Sequence, residues 1–351
     1  MNRLGVVVLV WGLIAAAGAS AASPDPRDLA IPPAELARAK ELVRRLGSED
    51  YKDREAAQGE LAKMKRLARP VLAEAAAADP SPEVRSRAAR LLPKAEADEL
   101  QARIDTFLAD AEGKFEHDLP AWKSFRGVVG TDKPSRDLYV EMLHSPANLD
   151  LLVALDQPEA EAAKAIADRR MTIYLRLYPH AFGRVPPGTR PIPSQPPSVA
   201  DVAALLFAEV LVDAKHIPRA AFFMQISAAA FLQQPAAMSA ATGSGTPSGE
   251  AFKRLLAKWF ETRTHPDDLS NYNLINAANM FRTYPETTPL LRRVVMTDGV
   301  IGYQKSQALM FLIQRNGKDE QAFLRSLVIG DKEREEGGEL LALAAAGGPG
   351  S

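Results

Sequence analysis

The five histidines are the side chains best suited to acid–base catalysis or metal binding, and they are widely separated in the sequence. They are His117, His144, His180, His216 and His265. No two of them are four residues apart, the spacing that would place both on one face of a helix. No H-E-x-x-H motif is present either. The sequence therefore gives no support for a zincin-like metal site, and we expect no bound cofactor.

Motifs for nucleophilic catalysis and phosphate binding are equally weak. No G-x-S-x-G nucleophile elbow occurs. The segment TGSGTPSG at 242–249 lacks the lysine and the preceding strand of a phosphate loop, so we interpret it as a flexible linker. Asp267 and Asp268 follow Pro266, where the dipole of a starting helix explains them without catalysis. An active site assembled from distant residues remains an open alternative.

The N-terminus has the pattern of an export signal. Met1 to Arg3 supply a positive start, an apolar run follows, and Ala19, Ser20 and Ala21 place small residues at a cleavage site. This pattern predicts a signal peptide over 1–22, followed by a Pro-rich linker over 23–33. The mature chain would then lie in a periplasm or outside the cell, with no membrane span. The rival interpretation is an uncleaved segment that keeps the protein at a membrane.

Composition narrows the class of protein further. The chain has 351 residues, 46% of them apolar, which is enough to bury a sizeable core. Lys and Arg number 43 against 44 Asp and Glu, and this balance argues against a nucleic-acid binder, which usually has a basic surplus. The absence of cysteine excludes disulfides and thiolate metal sites.

One helix–turn–helix pattern occurs twice near the N-terminus. In DPSPEVRSRAARLL, residues 79–92, the prolines stop one helix, Ser81 caps the next, and an apolar stripe follows. The segment SEDYKDREAAQGEL lies 31 residues earlier and repeats the frame. The positions that define this frame are Arg54, Ala57, Leu61, Pro70, Asp79, Val84, Arg85, Ala88 and Leu92. A recurring two-helix unit of this size predicts an α-solenoid, an all-α fold.

Residues 34–93 resemble HEAT-type repeats in their Pro-led first helix, Asp-containing turn and Val-Arg start to the second helix. Asp53 stands where the family has valine. The resemblance implies that Arg85 pairs between repeats, and the plain interpretation of Arg87 and Arg90 is a solvated helix face. A later segment is similar to uncharacterised secreted bacterial HEAT-repeat proteins and implies no activity; it contains Trp122, Phe125, Arg126, Gly130, Arg136 and Met142.

A more distant copy of the frame is predicted near the C-terminus. Pro289 and Asp298 have the spacing of Pro70 and Asp79. An apolar stripe of Ala308, Phe311 and Leu312 then follows Lys305. The uncharged stretch 220–241 contains glutamines and a proline that disfavour membrane insertion, so it predicts an internal core helix.

These patterns divide the chain into two helical domains. The N-terminal HEAT-like domain covers 34–178, a Pro-rich loop covers 179–198, and the C-terminal HEAT-like domain covers 199–330 before a tail at 331–351. We expect a non-catalytic scaffold whose stacked second helices bind a protein or a cell-envelope partner. The alternatives are an exported hydrolase with its active site in the middle region and a peripheral membrane protein.

Overall fold

The computed structural model of the chain describes residues 25–179, 181, 193–218, 226–242, 247–315 and 317–329. Every regular element in these ranges is a helix, and no residue in them belongs to a strand. The prediction of an all-α protein is therefore confirmed. The predicted signal peptide at 1–22, the tail at 331–351, most of the Pro-rich loop and the centre of the 242–249 linker lie outside the described residues.

The chain divides into two compact units, the first ending at His117 and the second beginning at Asp118. The first unit contains the helices α1 (Pro33–Arg45), α2 (Tyr51–Met64), α3 (Arg69–Ala78) and α4 (Pro82–Ala109). Helix α1 packs on α2 and α3 on α4, while α1 also contacts α3 and α2 contacts α4. The first helices of the two hairpins, α1 and α3, therefore contact each other, and so do the second helices, α2 and α4.

The frame residues of the two hairpins occupy equivalent places. Ala57 and Ala88 are fully buried, and Leu61 and Val84 lie in the same apolar core. Leu92 is half-buried and packs against that core. Pro70 falls in the first turn of α3, and Asp79 caps the C-terminal end of that helix.

Two arginines in the frame make matching contacts. Arg54 donates to the carbonyl oxygens of Ser48 and Glu49 at 2.7 and 3.0 Å. Arg85 donates to those of Asp79 and Pro80, 31 residues further on, at 2.6 and 3.1 Å. Each guanidinium holds the turn before its own helix. The predicted pairing of Arg85 between repeats is therefore wrong, because the carbonyls of its own turn take the side chain.

Arg87 also differs from its predicted position on a solvated face. Its side chain is only 13% exposed and donates to Glu55 at 2.8 Å and to Gln58 at 2.7 Å, both on α2. Arg54 reaches from α2 to Glu83 on α4 at 2.9 Å. Arg90 is exposed, as predicted. Ion pairs and hydrogen bonds therefore join the second helices of the two hairpins.

Helix α4 runs without interruption for 28 residues, with Pro93 inside it. An interior proline removes one backbone hydrogen bond and crowds the carbonyl four residues earlier, which usually ends or kinks a helix. That carbonyl belongs to Ala89, and both Ala89 and Pro93 are exposed. Solvent can therefore satisfy the freed carbonyl, and the helix continues.

The second unit contains the remaining twelve α-helices of the described residues. They are α5 (Trp122–Val129), α6 (Lys133–Leu143), α7 (Pro146–Leu155), α8 (Glu159–Leu177), α9 (Val199–Leu211), α10 (Pro235–Thr242), α11 (Gly249–Thr262), α12 (Pro266–Leu269), α13 (Tyr272–Met280), α14 (Thr287–Met296), α15 (Gly302–Arg315) and α16 (Lys318–Ile329). The predicted division at 179–198 falls inside this unit, where α7 and α8 both pack on α9. Helices α14 and α15 pack together as the helix pair predicted near the C-terminus. Ala308 and Leu312 of α15 are buried.

The uncharged stretch 220–241 buries Phe231, Leu232 and most of its alanines where it is described, but Gln233 and Pro235 are exposed and the stretch is not one helix. A short 3-10 helix at Ala228–Phe231 is followed by α10, which begins at Pro235. Proline favours the first turn of a helix and disfavours its interior, so the prediction of a continuous core helix is wrong. No helix in the described ranges is both long and apolar enough to cross a bilayer.

Candidate functional site

Glu209 is the centre of a buried ionic cluster in the second unit, and it lies near the end of the apolar helix α9. Its side chain is completely inaccessible to solvent. The carboxylate accepts hydrogen bonds from Trp259 Nε1 and from the backbone N–H of Ala228, both at 2.8 Å. Arg170 donates to it through Nε at 2.9 Å. Burial alone would raise the pKa of Glu209, but Arg170, Arg263 and the two neutral donors outweigh burial and hold the pKa below its ordinary value.

Arg263 completes this cluster from the residue that follows α11. Its side chain is 4% exposed and donates both to the carbonyl of Glu209 and, at 3.1 Å, to Asp268. The guanidinium carbon also lies 5.4 Å from the centre of the Trp259 ring. These contacts join α8, α9, α11 and α12. Because it ties four helices together, the cluster acts as a structural lock.

A second buried network joins α7, α8 and α9. Arg169 donates through Nε and Nη2 to the Oδ1 of Asn148, at 3.0 and 2.6 Å, and through Nη2 to Asp201. Asp201 also closes a capping box with Ser198 at the start of α9, as predicted from their spacing. Burial lowers the pKa of Arg169 despite the nearby Asp201 carboxylate. This network ties the first turns of α7 and α9 to the middle of α8.

The described histidines contact different partners. His117 Nε2 lies 3.0 Å from a buried oxygen of Asp110. His216 Nδ1 lies 2.5 Å from Glu159 on the surface, while the His265 ring accepts a hydrogen bond from the N–H of Asp267. His144 is exposed, and His180 lies outside the described residues. In the described part of the chain, no three His, Asp or Glu side chains converge as a metal site would require.

An open cleft of about 340 Å³ lies between α1 and α3 in the first unit. We call it the α1–α3 cleft; its lining residues are Lys40, Val43, Val71, Glu74, Ala75, Ala78, Asp79 and Pro80. Its volume is within the range of pockets that take a ligand or a partner's side chains. Because α1 and α3 are the first helices of their hairpins, the cleft lies on the opposite set of helices from the predicted binding surface.

The floor of the α1–α3 cleft is apolar and its rim is charged. Val43, Val71 and Ala75 are at least 93% buried and face one another across the two helices. Lys40 and Glu74 are exposed, and neither forms an ion pair or side-chain hydrogen bond with any described residue. The cleft can therefore accept an apolar side chain between a cationic and an anionic group. Of the predicted frame residues, only Asp79 lines it.

The second helices present a different surface. Two of their arginines are paired within the protein, Arg87 with Glu55 and Arg54 with Glu83, while Lys52 and Arg90 are exposed. The small cavity there, near Leu61 and Ala95, has a volume of about 20 Å³, close to that of one water molecule. The α1–α3 cleft is thus the better candidate for a binding site.

Comparison with family models, with curated proteins and with solved structures finds no match for this chain.

Proposed function

We propose that this protein is an exported, non-catalytic helical scaffold built from HEAT-type repeats, and that it binds a protein partner in the α1–α3 cleft. The observation that carries the repeat assignment is the 31-residue correspondence between Arg54 and Arg85, each of which donates to the two carbonyls of its own turn. Matching contacts at matching positions favour two copies of one unit. The charged and apolar segments at the N-terminus support export.

The cleft is the part of the first unit best suited to a polypeptide ligand. Its apolar floor supplies a pocket for a side chain, and burial of apolar surface is the main driving force of association. Among the described residues Lys40 and Glu74 have no ion pair or side-chain hydrogen bond, so a polypeptide bearing both signs of charge can pair with them without breaking such contacts there. On the second helices, by contrast, a partner that engages Arg54 or Arg87 would have to displace their existing ion pairs.

A matched pair of substitutions on α3 tests this assignment. Ala78 lines the cleft, whereas its exposed neighbour Ala77 does not. Ala78→Trp places a large ring in the cleft, and Ala77→Trp adds the same ring elsewhere on the helix. Tagged protein and both variants are incubated with envelope extract from native cells, and the bound proteins are quantified by mass spectrometry. Denaturation midpoints show whether each variant is folded.

We expect a stoichiometric partner that wild type and Ala77→Trp retain and that Ala78→Trp loses while staying folded. Retention of the partner by Ala78→Trp would show that binding occurs elsewhere. Release of a small-molecule product from candidate ester or peptide substrates by the purified protein would instead favour the hydrolase alternative.

A further inference from the structure

Three apolar side chains are exposed together at the turn between α14 and α15. Met296 ends α14, Ile301 precedes α15, and Tyr303 lies in the first turn of α15. Their exposed fractions are 52%, 61% and 66%. We call these three residues the end patch. A cluster of large apolar side chains left in water marks a surface that something else covers.

The course of α16 brings the chain to this patch. Thr288 near the start of α14 contacts Glu320 near the start of α16 at 3.3 Å. One turn later in both helices, the Arg292 guanidinium lies 5.2 Å from the centre of the Phe323 ring. The two helices therefore advance in the same direction. One further turn brings the end of α16 level with Met296.

The sequence that follows Ile329 has the composition of a spacer and an anchor. Residues 331–338, DKEREEGG, are charged or glycine and favour water. Residues 339–347, ELLALAAAG, contain three leucines and otherwise mostly alanine. The spacer is long enough to reach the patch, since ten extended residues span about 33 Å. Tethering also gives the anchor an effective concentration of order mM, which favours it over a second molecule.

We propose that Leu340, Leu341 and Leu343 pack on the end patch, so that the C-terminal segment covers this end of the second unit. The occupant is part of the same chain because α16 runs in the same direction as α14 and ends level with Met296. This proposal is independent of the α1–α3 cleft, which lies in the other unit.

Engineered cysteines test the contact directly, because the chain has no cysteine of its own. Ile301→Cys is combined with Leu340→Cys in the full chain and mildly oxidised. The control combines Leu340→Cys with Val153→Cys, an exposed position on α7. We expect a disulfide within one molecule for the first pair and not for the control. A disulfide-linked dimer would assign the patch to a second copy, and equal crosslinking of both pairs or none of either would also overturn the proposal.

Hydrogen exchange supplies a second readout that needs no cysteine. In the full chain, Leu340→Asp with Leu343→Asp should release the segment and make the amides of 296–303 exchange about tenfold faster or more, as loss of two buried leucines implies. The control, Gly350→Asp with Ser351→Asp, adds the same charge beyond the anchor and should change nothing. Unaltered exchange at 296–303 in the leucine variant would contradict the proposal.

Discussion

Glu209 shows how much one side chain can contribute when burial removes its access to water. Glu209→Gln keeps the shape of the side chain but removes its charge, which leaves Arg170 without its counter-ion and Arg263 with Asp268 alone. Loss of one partner of a buried ion pair costs about 3–5 kcal/mol, so we expect a fall of that size in the free energy of unfolding. Glu250→Gln changes an acid that is 65% exposed and should cost under about 0.5 kcal/mol. Chemical denaturation measures both; equal losses would mean that the cluster is not a lock.

The same carboxylate predicts how stability depends on pH. The pKa of Glu209 lies below its ordinary value of 4.5 in the folded protein. The pKa of Asp110 is also lowered: burial opposes this, but the N–H groups of Phe115 and Lys114 and the His117 side chain prevail. A lowered folded pKa gives stability that is complete above the unfolded pKa and is lost as pH falls below it. We expect the unfolding free energy to decline as pH falls below about 4.5, and less steeply in Glu209→Gln. Equal slopes of unfolding free energy against pH in wild type and Glu209→Gln would contradict the lowered pKa of Glu209.

At the scale of helices, equivalent frame positions need not contribute equally. Leu61 on α2 is 1% exposed, whereas Leu92, 31 residues later, is half-buried. Leu61→Ala should therefore cost about 2–5 kcal/mol, and Leu92→Ala clearly less, because part of that side chain stays in water. Arg90→Ala on the exposed face should cost under about 0.5 kcal/mol. Denaturation of the three variants gives the order, and a larger loss at Leu92 than at Leu61 would contradict the packing.

Helices and their buried faces were largely predictable because both follow from residues within one or two turns. Ser198 and Asp201 are three residues apart, so their capping box is visible in the sequence. The length of helix α4 is not visible in the sequence, because the tolerance of Pro93 depends on which side of the helix meets solvent. The buried ionic cluster at Glu209 has one signal in the sequence, which is a single acidic residue within VAALLFAEVLV. Its partners come from three separate segments, and periodicity carries no information about such pairing.

The α1–α3 cleft was missed for a related reason. Its walls come from helices about 30 residues apart in the sequence, and its distinguishing feature is that Lys40 and Glu74 are unpaired while Arg87 and Arg54 are paired. Which charges find partners depends on the packing of α1 on α3 and of α2 on α4. The sequence therefore predicts a partner-binding surface on the second helices, whereas the cleft that we propose as the binding site lies between the first helices.

For the whole molecule, the predicted export would decide which partners the protein meets. The charged start, the apolar run and the small residues at Ala19 to Ala21 predict that the mature protein begins near Ala22. N-terminal sequencing of the protein recovered from the periplasm or the culture medium should find that start. Recovery of only the full-length chain, held in the membrane fraction, would favour the retained anchor.

The central claim is that a protein partner occupies the α1–α3 cleft, and site-specific photocrosslinking tests it most directly. A photoreactive amino acid replaces Glu74 on the rim of the cleft, and in a parallel protein it replaces Lys52, which is exposed on α2. Both proteins are expressed in native cells and irradiated, and the adducts are identified by mass spectrometry. The proposal predicts a discrete adduct with one protein from position 74 and none from position 52. An adduct from position 52 alone would contradict it and return the binding surface to the second helices.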